Sequence, residues 1–299
     1  MSLLAHAQDL TAHELRTQIR LAVQRCETLP TLPGVAERLL ALVRDINSAV
    51  SELEAVLKRD LTCAARVLQL ANSAYYSHNK AVTSLRRAAL LIGFNAIEAI
   101  ASELPVFACF RTPDPEAMAR VLGIWRHGIA VATVAEYLAH HTRQAVETDL
   151  AFCAGLLHNI GQVVLLHLFP DAYHPLLARL QQEPETDLPR LELETLHVTH
   201  TEVGFWLGEA WHFPPPLLDV ISQHHFARLT EPLLAVVALA DSLVKRHGVG
   251  LPGKTPLRTD VEALRRLLGL SPKHLETCDA ILTQVSEQLH ALLPAAAGG

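Results

Sequence analysis

The sequence predicts an all-α protein, a multi-helix bundle in two lobes with a C-terminal helical extension. Three observations lead there. Leu and Ala recur at helical spacing along nearly all of the 299 residues, and alternation of Val or Ile with polar residues is scarce. Half of the chain is hydrophobic, while only 19% is charged. A chain of this length buries a large core without disulfides. Its five cysteines, Cys26, Cys63, Cys109, Cys153 and Cys278, are odd in number, far apart and set in apolar helical patterns, as reduced core thiols are.

Residues 1–26 carry an N-terminal helix, about 11–26, with Leu15, Ile19 and Val23 on one stripe. Residues 27–112 form the first lobe. Pro30 and Pro33 stiffen an extended entry to a helix over 34–44. A short helix, SELEAVLKRD, is capped by Ser48 or Ser51, with Glu52 and Glu54 in its first turn and Lys58 and Arg59 in its last, as the helix dipole prefers. Asp60 or Thr62 opens the next, which ends at ANSAYYS, where Tyr75 and Tyr76 either plug the bundle or form a recognition surface. Ser84 caps LRRAALLIGFNAIEAIAS, with a kink or close contact at Gly93.

The prolines of FRTPDPEAM mark an internal boundary, and residues 113–247 form the second lobe. It holds a long helix over 115–141, a central buried helix over 149–169 capped by Thr148 or Asp149, and a shorter one over 172–182. LELETLHVTHTEVGFWLGEAW reads as one long helix. The FPPP turn then starts a helix that ends at His224 and His225, and a further helix covers 233–247. Residues 248–299 supply a loop, helices over 260–268 and 271–293, and a fraying tail at 295–299. Leu275, Ile281, Leu282, Val285 and Leu289 either cover the bundle or pair with another chain.

The net charge of −6 excludes extended coating of nucleic acid, which needs a concentrated basic surface. The run 149–169 is long enough to span a membrane, but His158, Asn159, Gln162 and His167 are costly in lipid. With no basic, apolar leader pattern at the N-terminus, the reading is cytoplasmic.

Buried imidazole and amide groups cost roughly 1–3 kcal/mol each without hydrogen bonds, so partners must converge on His158 and Asn159. His127, His158, Asn159, His200, His224, His225 and Asp241 lie on different helices or helix ends, each among apolar neighbours. Imidazoles and a carboxylate brought together by several helices make a divalent-metal site. Singly, each is more often a satisfied core polar residue than a ligand. His140, His141, His174, His212, His247 and His290 sit in polar or terminal contexts, where solvation is expected.

The order of these residues resembles the HD superfamily of metal-dependent phosphohydrolases, and the closer resemblance is to its HDOD branch. LPTLPGVAERLLAL, RDLT, VLQLANSAYYS, SLRRAALLIGF, IWRHGIAVA, GLLHNIGQVVL and HTEVGFWLGEAWHFPPPLLDVISQHH carry it, over roughly 29–245. The resemblance implies that His127 is the first His, His158 the His of the His-Asp doublet, His200, His224 and His225 the later imidazoles, and Asp241 the distal Asp. Asn159 stands where the doublet has Asp, and a neutral amide is a weaker ligand that accepts no proton. Gln162 replaces the Lys of the cyclic-di-GMP phosphodiesterase branch, and HHFARLTEP lacks that branch's Gly-Tyr-Pro loop. The resemblance therefore implies a bacterial signal-transduction module that binds a signalling protein or nucleotide second messenger without cleaving it. The alternative is a phosphohydrolase using a divalent metal. Such a site would take a single zinc, iron, nickel or manganese ion, or none, with the imidazoles and Asp241 bonded to one another.

Overall fold

The helices start where the chain offers an oxygen to the first free N–H groups. The computed structural model describes residues 11–76, 81–107, 114–183, 186–225, 231–250 and 260–292. Helix α1 (Ala12–Gln24) opens with a capping box between Thr11 and Glu14. Helix α2 (Val35–Arg44) follows Gly34, whose φ of 79° suits a residue without Cβ. Neither Ser48 nor Ser51 caps α3 (Val50–Leu57). Ala49 holds that position, because the Glu52 carboxylate accepts its N–H and the turn needs no hydroxyl. Asp60 caps α4 (Leu61–Ala71) and Ser84 caps α5 (Leu85–Glu103), which kinks at Gly93 with φ 78°.

The second half runs through α6 (Pro115–His141), α7 (Thr148–Leu157), α8 (Ile160–Leu168), α9 (Pro170–Gln182), α10 (Leu188–Leu196), α11 (His200–Ala210), α12 (Pro215–Gln223) and α13 (Pro232–His247). The chain then forms α14 (Val261–Leu267) and α15 (Pro272–Leu292). Among the described residues the β pairing is a single isolated bridge between Thr31 and Val106. The protein is all-α, as its apolar periodicity predicts.

Two expected long helices are each divided. The apolar run 149–169 breaks at His158 and Asn159, so that α7 and α8 meet at the polar pair, and Glu147 rather than Thr148 or Asp149 precedes the first turn. The run 191–211 breaks at His197, which takes a left-handed φ of 56°, and Thr199 starts a new helix with a capping box to Glu202. Both breaks place polar side chains at helix ends inside the protein.

In the N-terminal part of the chain α2, α3 and α4 pack on α5. Further on, α6 packs along α7 and is flanked by α13 and α15, while α8 lies on α11 and α11 on α12. Asp60 ties the two groups of helices together. Its buried carboxylate accepts from the Thr31 hydroxyl at 2.6 Å, the Cys63 N–H at 2.8 Å and the Trp125 indole N–H of α6 at 3.0 Å. Helix α1 packs on α11, where Arg16 and Arg20 lie over the Trp206 ring.

Tyr75 does not plug the bundle: it is 79% exposed, with its ring edge-on to Tyr76. Helix α15 turns Cys278, Leu282 and Leu289 into the core against α6. The four described cysteines are free and buried, and Cys109 lies outside the described residues, as do residues 295–299. The span Thr148–Leu168 has the length and apolarity to cross a membrane, and 89% of its apolar window is buried inside this fold.

Candidate metal centre

Six helices deliver the centre. His127 projects from α6, His158 and Asn159 sit at the joint of α7 and α8, and His200 is the first residue of α11. His224 and His225 follow the last turn of α12, and Asp241 lies midway along α13. The helix break at residue 158 serves this directly. A continuous helix would turn His158 and Asn159 to different faces, whereas the joint buries both, at 0% and 8% exposure.

Two triads result. In the first, the ligating atoms of His127, His158 and Asp241 lie within 4.8 Å of one another. His127 Nε2 is 2.9 Å from Asp241 Oδ1, and His158 Nε2 is 3.8 Å from the same oxygen. In the second, His200, His224 and His225 bring their ligating atoms equally close. His225 Nε2 is 3.0 Å and His224 Nε2 3.5 Å from His200 Nε2. The His158 and His224 rings, with centroids 4.9 Å apart, join the two triads into one chain of imidazoles.

Hydrogen bonds behind the rings fix which nitrogen faces inward. His158 Nδ1 donates to the Gly155 carbonyl at 2.6 Å, and His224 Nδ1 lies 3.1 Å from the Ile221 carbonyl. His200 Nδ1 meets the Glu192 carboxylate at 2.7 Å, and Glu192 also accepts from the Tyr173 hydroxyl at 2.5 Å and from the His200 N–H at 2.8 Å. An acceptor at Nδ1 holds the ring in the tautomer whose Nε2 carries a lone pair, the form that binds metals.

Burial keeps His158, His224 and His225 neutral. It pushes His158 down to about 3 and His225 to about 2, helped in His225 by the neighbouring His200. Burial, with His225 alongside, holds His224 well below the usual imidazole range. Burial alone would raise Asp241, but the Lys245 ammonium and His127 outweigh it and hold the carboxyl far below its ordinary range. Lys245 Nζ is 2.7 Å from Asp241 Oδ2.

The structure thus brings together the five histidines and Asp241 singled out in the sequence, buries Asn159 next to His158 in the chain, and adds Glu192, Tyr173 and Lys245. Lys245 was visible in the sequence as the i+4 partner of Asp241 on a helix. Glu192 was not. On one continuous helix it would sit about 12 Å from His200, at 1.5 Å per residue, and only the turn at His197 folds it back. Of the histidines expected in solvent, His140, His141, His212 and His247 are exposed, but His174 is half-buried with Nδ1 unpartnered, because α9 lays it beside Arg120 of α6. The side chain of His290 lies outside the described residues.

The sequence model of the HDOD domain family matches residues 29–227, two thirds of the chain. The chain belongs to the HDOD domain family. This HDOD chain is similar in fold to the MmoQ response regulator of Methylococcus capsulatus, with a TM-score of 0.68 and 23% identity over 86% of this chain and 99% of that one. It is similar to a virulence factor of Campylobacter jejuni, with a TM-score of 0.62 and 21% identity over 90% and 98% of the two chains. An uncharacterized protein of Treponema pallidum is 28% identical over 255 residues, covering 81% of this chain and 47% of that protein. The HDOD chain therefore spans about half the length of the curated relative it matches.

At the centre two buried atoms, His158 Nε2 and Asn159 Oδ1, have no hydrogen-bond partner among the described residues. Both are acceptors, and the His and Asp groups here can hold a metal. The second triad fits one ion well, with His200 supported from behind by Glu192 and His224 by a backbone carbonyl. The first fits poorly, because its one carboxylate is already engaged by Lys245 and His127.

Proposed function

We propose that this chain is a regulatory module in bacterial signal transduction, which binds a protein partner or a nucleotide in the cytoplasm without hydrolysing it. Residues 27–112 and 113–247 act as its two lobes, with residues 1–26 and 248–299 as flanking helices. The observation that carries this reading is Asn159. An HD-type hydrolase needs an anionic oxygen beside its doublet His to bridge metals and take a proton, and here a neutral, unpartnered amide oxygen occupies that position. Lys245 strengthens the case, since the remaining carboxylate of the centre is tied up in an ion pair. Membership of the HDOD family, whose fold this chain shares with a protein named as a response regulator, is the background against which the loss makes sense.

The two triads favour one alternative, a phosphohydrolase acting on a nucleotide or a small phosphorylated molecule. A divalent ion held by His200, His224 and His225 would supply Lewis-acid charge to a phosphoryl oxygen. Within this chain, His158 Nε2 is then a hydrogen-bond acceptor at the site, uncharged because it is buried.

The readings separate in one assay. Purified protein is given Mn²⁺, Fe²⁺, Ni²⁺ or Zn²⁺ and a panel of nucleotides, second messengers and phosphate esters, with phosphate release and calorimetric binding followed together. The regulatory reading expects no release above the blank. Release that disappears in His158→Ala would establish the hydrolase instead.

A further inference from the structure

We infer that Lys245 sets the metal stoichiometry of this centre: its ammonium takes the electrostatic place of a cation at the His127–His158–Asp241 triad, so the protein accepts one divalent ion, at His200, His224 and His225, rather than two. The inference deepens the reading of a degenerate centre and rests on it for the loss of the acid at 159, but it concerns ion count, not turnover.

The two triads differ in charge and in free lone pairs. Asp241 is the sole carboxylate among the sequence-identified candidates, and both of its oxygens are engaged, Oδ1 by His127 at 2.9 Å and Oδ2 by Lys245 at 2.7 Å. Lys245 comes from the next turn of the same helix, four residues on, so the pair is built into α13 and needs no rearrangement. An ion entering the first triad must either displace the ammonium or share a carboxylate with it. Without Asp241 only two imidazoles remain there, short of the three or four protein ligands that zinc sites use. Asn159 supplies no second negative charge.

The second triad lacks that obstacle. His200 and His224 each face an acceptor with Nδ1, Glu192 for one and backbone carbonyls for the other, and their Nε2 atoms point at each other across 3.5 Å, a gap that one shared cation can bridge. The Nε2 separations of 3.0 and 3.5 Å bracket the roughly 3.3 Å edge of a tetrahedron whose metal–nitrogen bonds are about 2.0–2.1 Å. Glu192, fully buried behind His200, adds negative charge that makes the imidazole a better ligand.

The test counts zinc. Full-length protein is stripped with chelator, titrated with ZnCl₂ by calorimetry, and assayed for bound metal after desalting. Wild type is expected to hold one equivalent, lost in His225→Ala. Lys245→Met is expected to hold two, the second lost again in Lys245→Met/Asp241→Asn. Lys245→Arg should stay at one. If circular dichroism shows that Lys245→Met does not fold, Lys245→Gln replaces it, since its amide still donates to Asp241 without the charge. Wild type holding two equivalents, none, or one that survives His225→Ala overturns the inference, as does a folded neutral variant that stays at one. Phosphate release measured on the same samples reports on the regulatory reading alone: turnover by a one-zinc wild type would refute that reading and leave the count standing.

Discussion

Glu192 shows how much one buried side chain settles here. Its carboxylate is fully enclosed and accepts the Tyr173 hydroxyl, the His200 N–H and His200 Nδ1, so three donors depend on two oxygens. The same arrangement starts α11, selects the His200 tautomer and points Nε2 at its neighbours. Glu192→Ala removes the acceptor and leaves all three donors without partners in a fully buried site. Such a loss costs about 3–5 kcal/mol, read from urea unfolding. Tyr173→Phe removes one donor and leaves two, so it costs only about 1 kcal/mol. Because the two residues share one network, the double variant should fall short of the sum by more than about 0.5 kcal/mol. Additive losses would mean that Glu192 and Tyr173 act separately, against the geometry.

Among the elements, the close contact of α8 with α11 places the second triad beside the first. A Cβ at Gly161 would run into the His200 carbonyl and approach the Gly204 backbone nitrogen to 2.7 Å, so the two backbones touch where side chains normally keep helices apart. Gly161→Ala must push α11 away, and a core overpacked against backbone loses about 3 kcal/mol or more. A melting temperature near that of wild type would show that the contact is not required. The sequence makes helices α1, α2 and α6 legible, because their apolar stripes end at recognisable caps such as Thr11 and Asp114. It hides the breaks at His158 and His197, since uninterrupted apolar periodicity looks the same whether the chain continues or turns, and the cause of the turn is distant packing. The site residues fared the other way. His127, His200, His224 and Asp241 stood out because buried polar groups are rare in such apolar surroundings, while Glu192 in LELET looks like any charge on a solvated face. Its role exists only after the turn at His197 folds it onto His200.

On the scale of the whole molecule, buried apolar residues from α1 through α15 form one continuous core, and Asp60 links α4 to Trp125 of α6. A shared core implies that the two halves of the chain unfold together, and two thiols can report it. Burial, with Asp60 nearby, drives Cys63 on α4 well above the ordinary thiol range. Burial, with Asp149 nearby, raises Cys153 on α7 to about 12. In the unfolded chain each titrates near 8.5. Below that pH both states keep the proton and stability is unaffected. Above it the unfolded state releases a proton that the folded state retains, so stability falls as pH rises toward the folded value, by about 1.4 kcal/mol per pH unit for each thiol. Other groups also titrate in this range, so the useful quantity is a difference between variants. The unfolding free energy of wild type minus that of Cys153→Ala should stay flat from pH 6 to 8 and decline with that slope from about 9 to 10.5. Cys63→Ala should give the same slope in the same transition, because one cooperative unit exposes both thiols at once. If the two variants altered separate transitions, or the difference stayed flat through pH 10.5, the two halves would be independent folding units or the thiols open to solvent, and the single core would lose its energetic meaning.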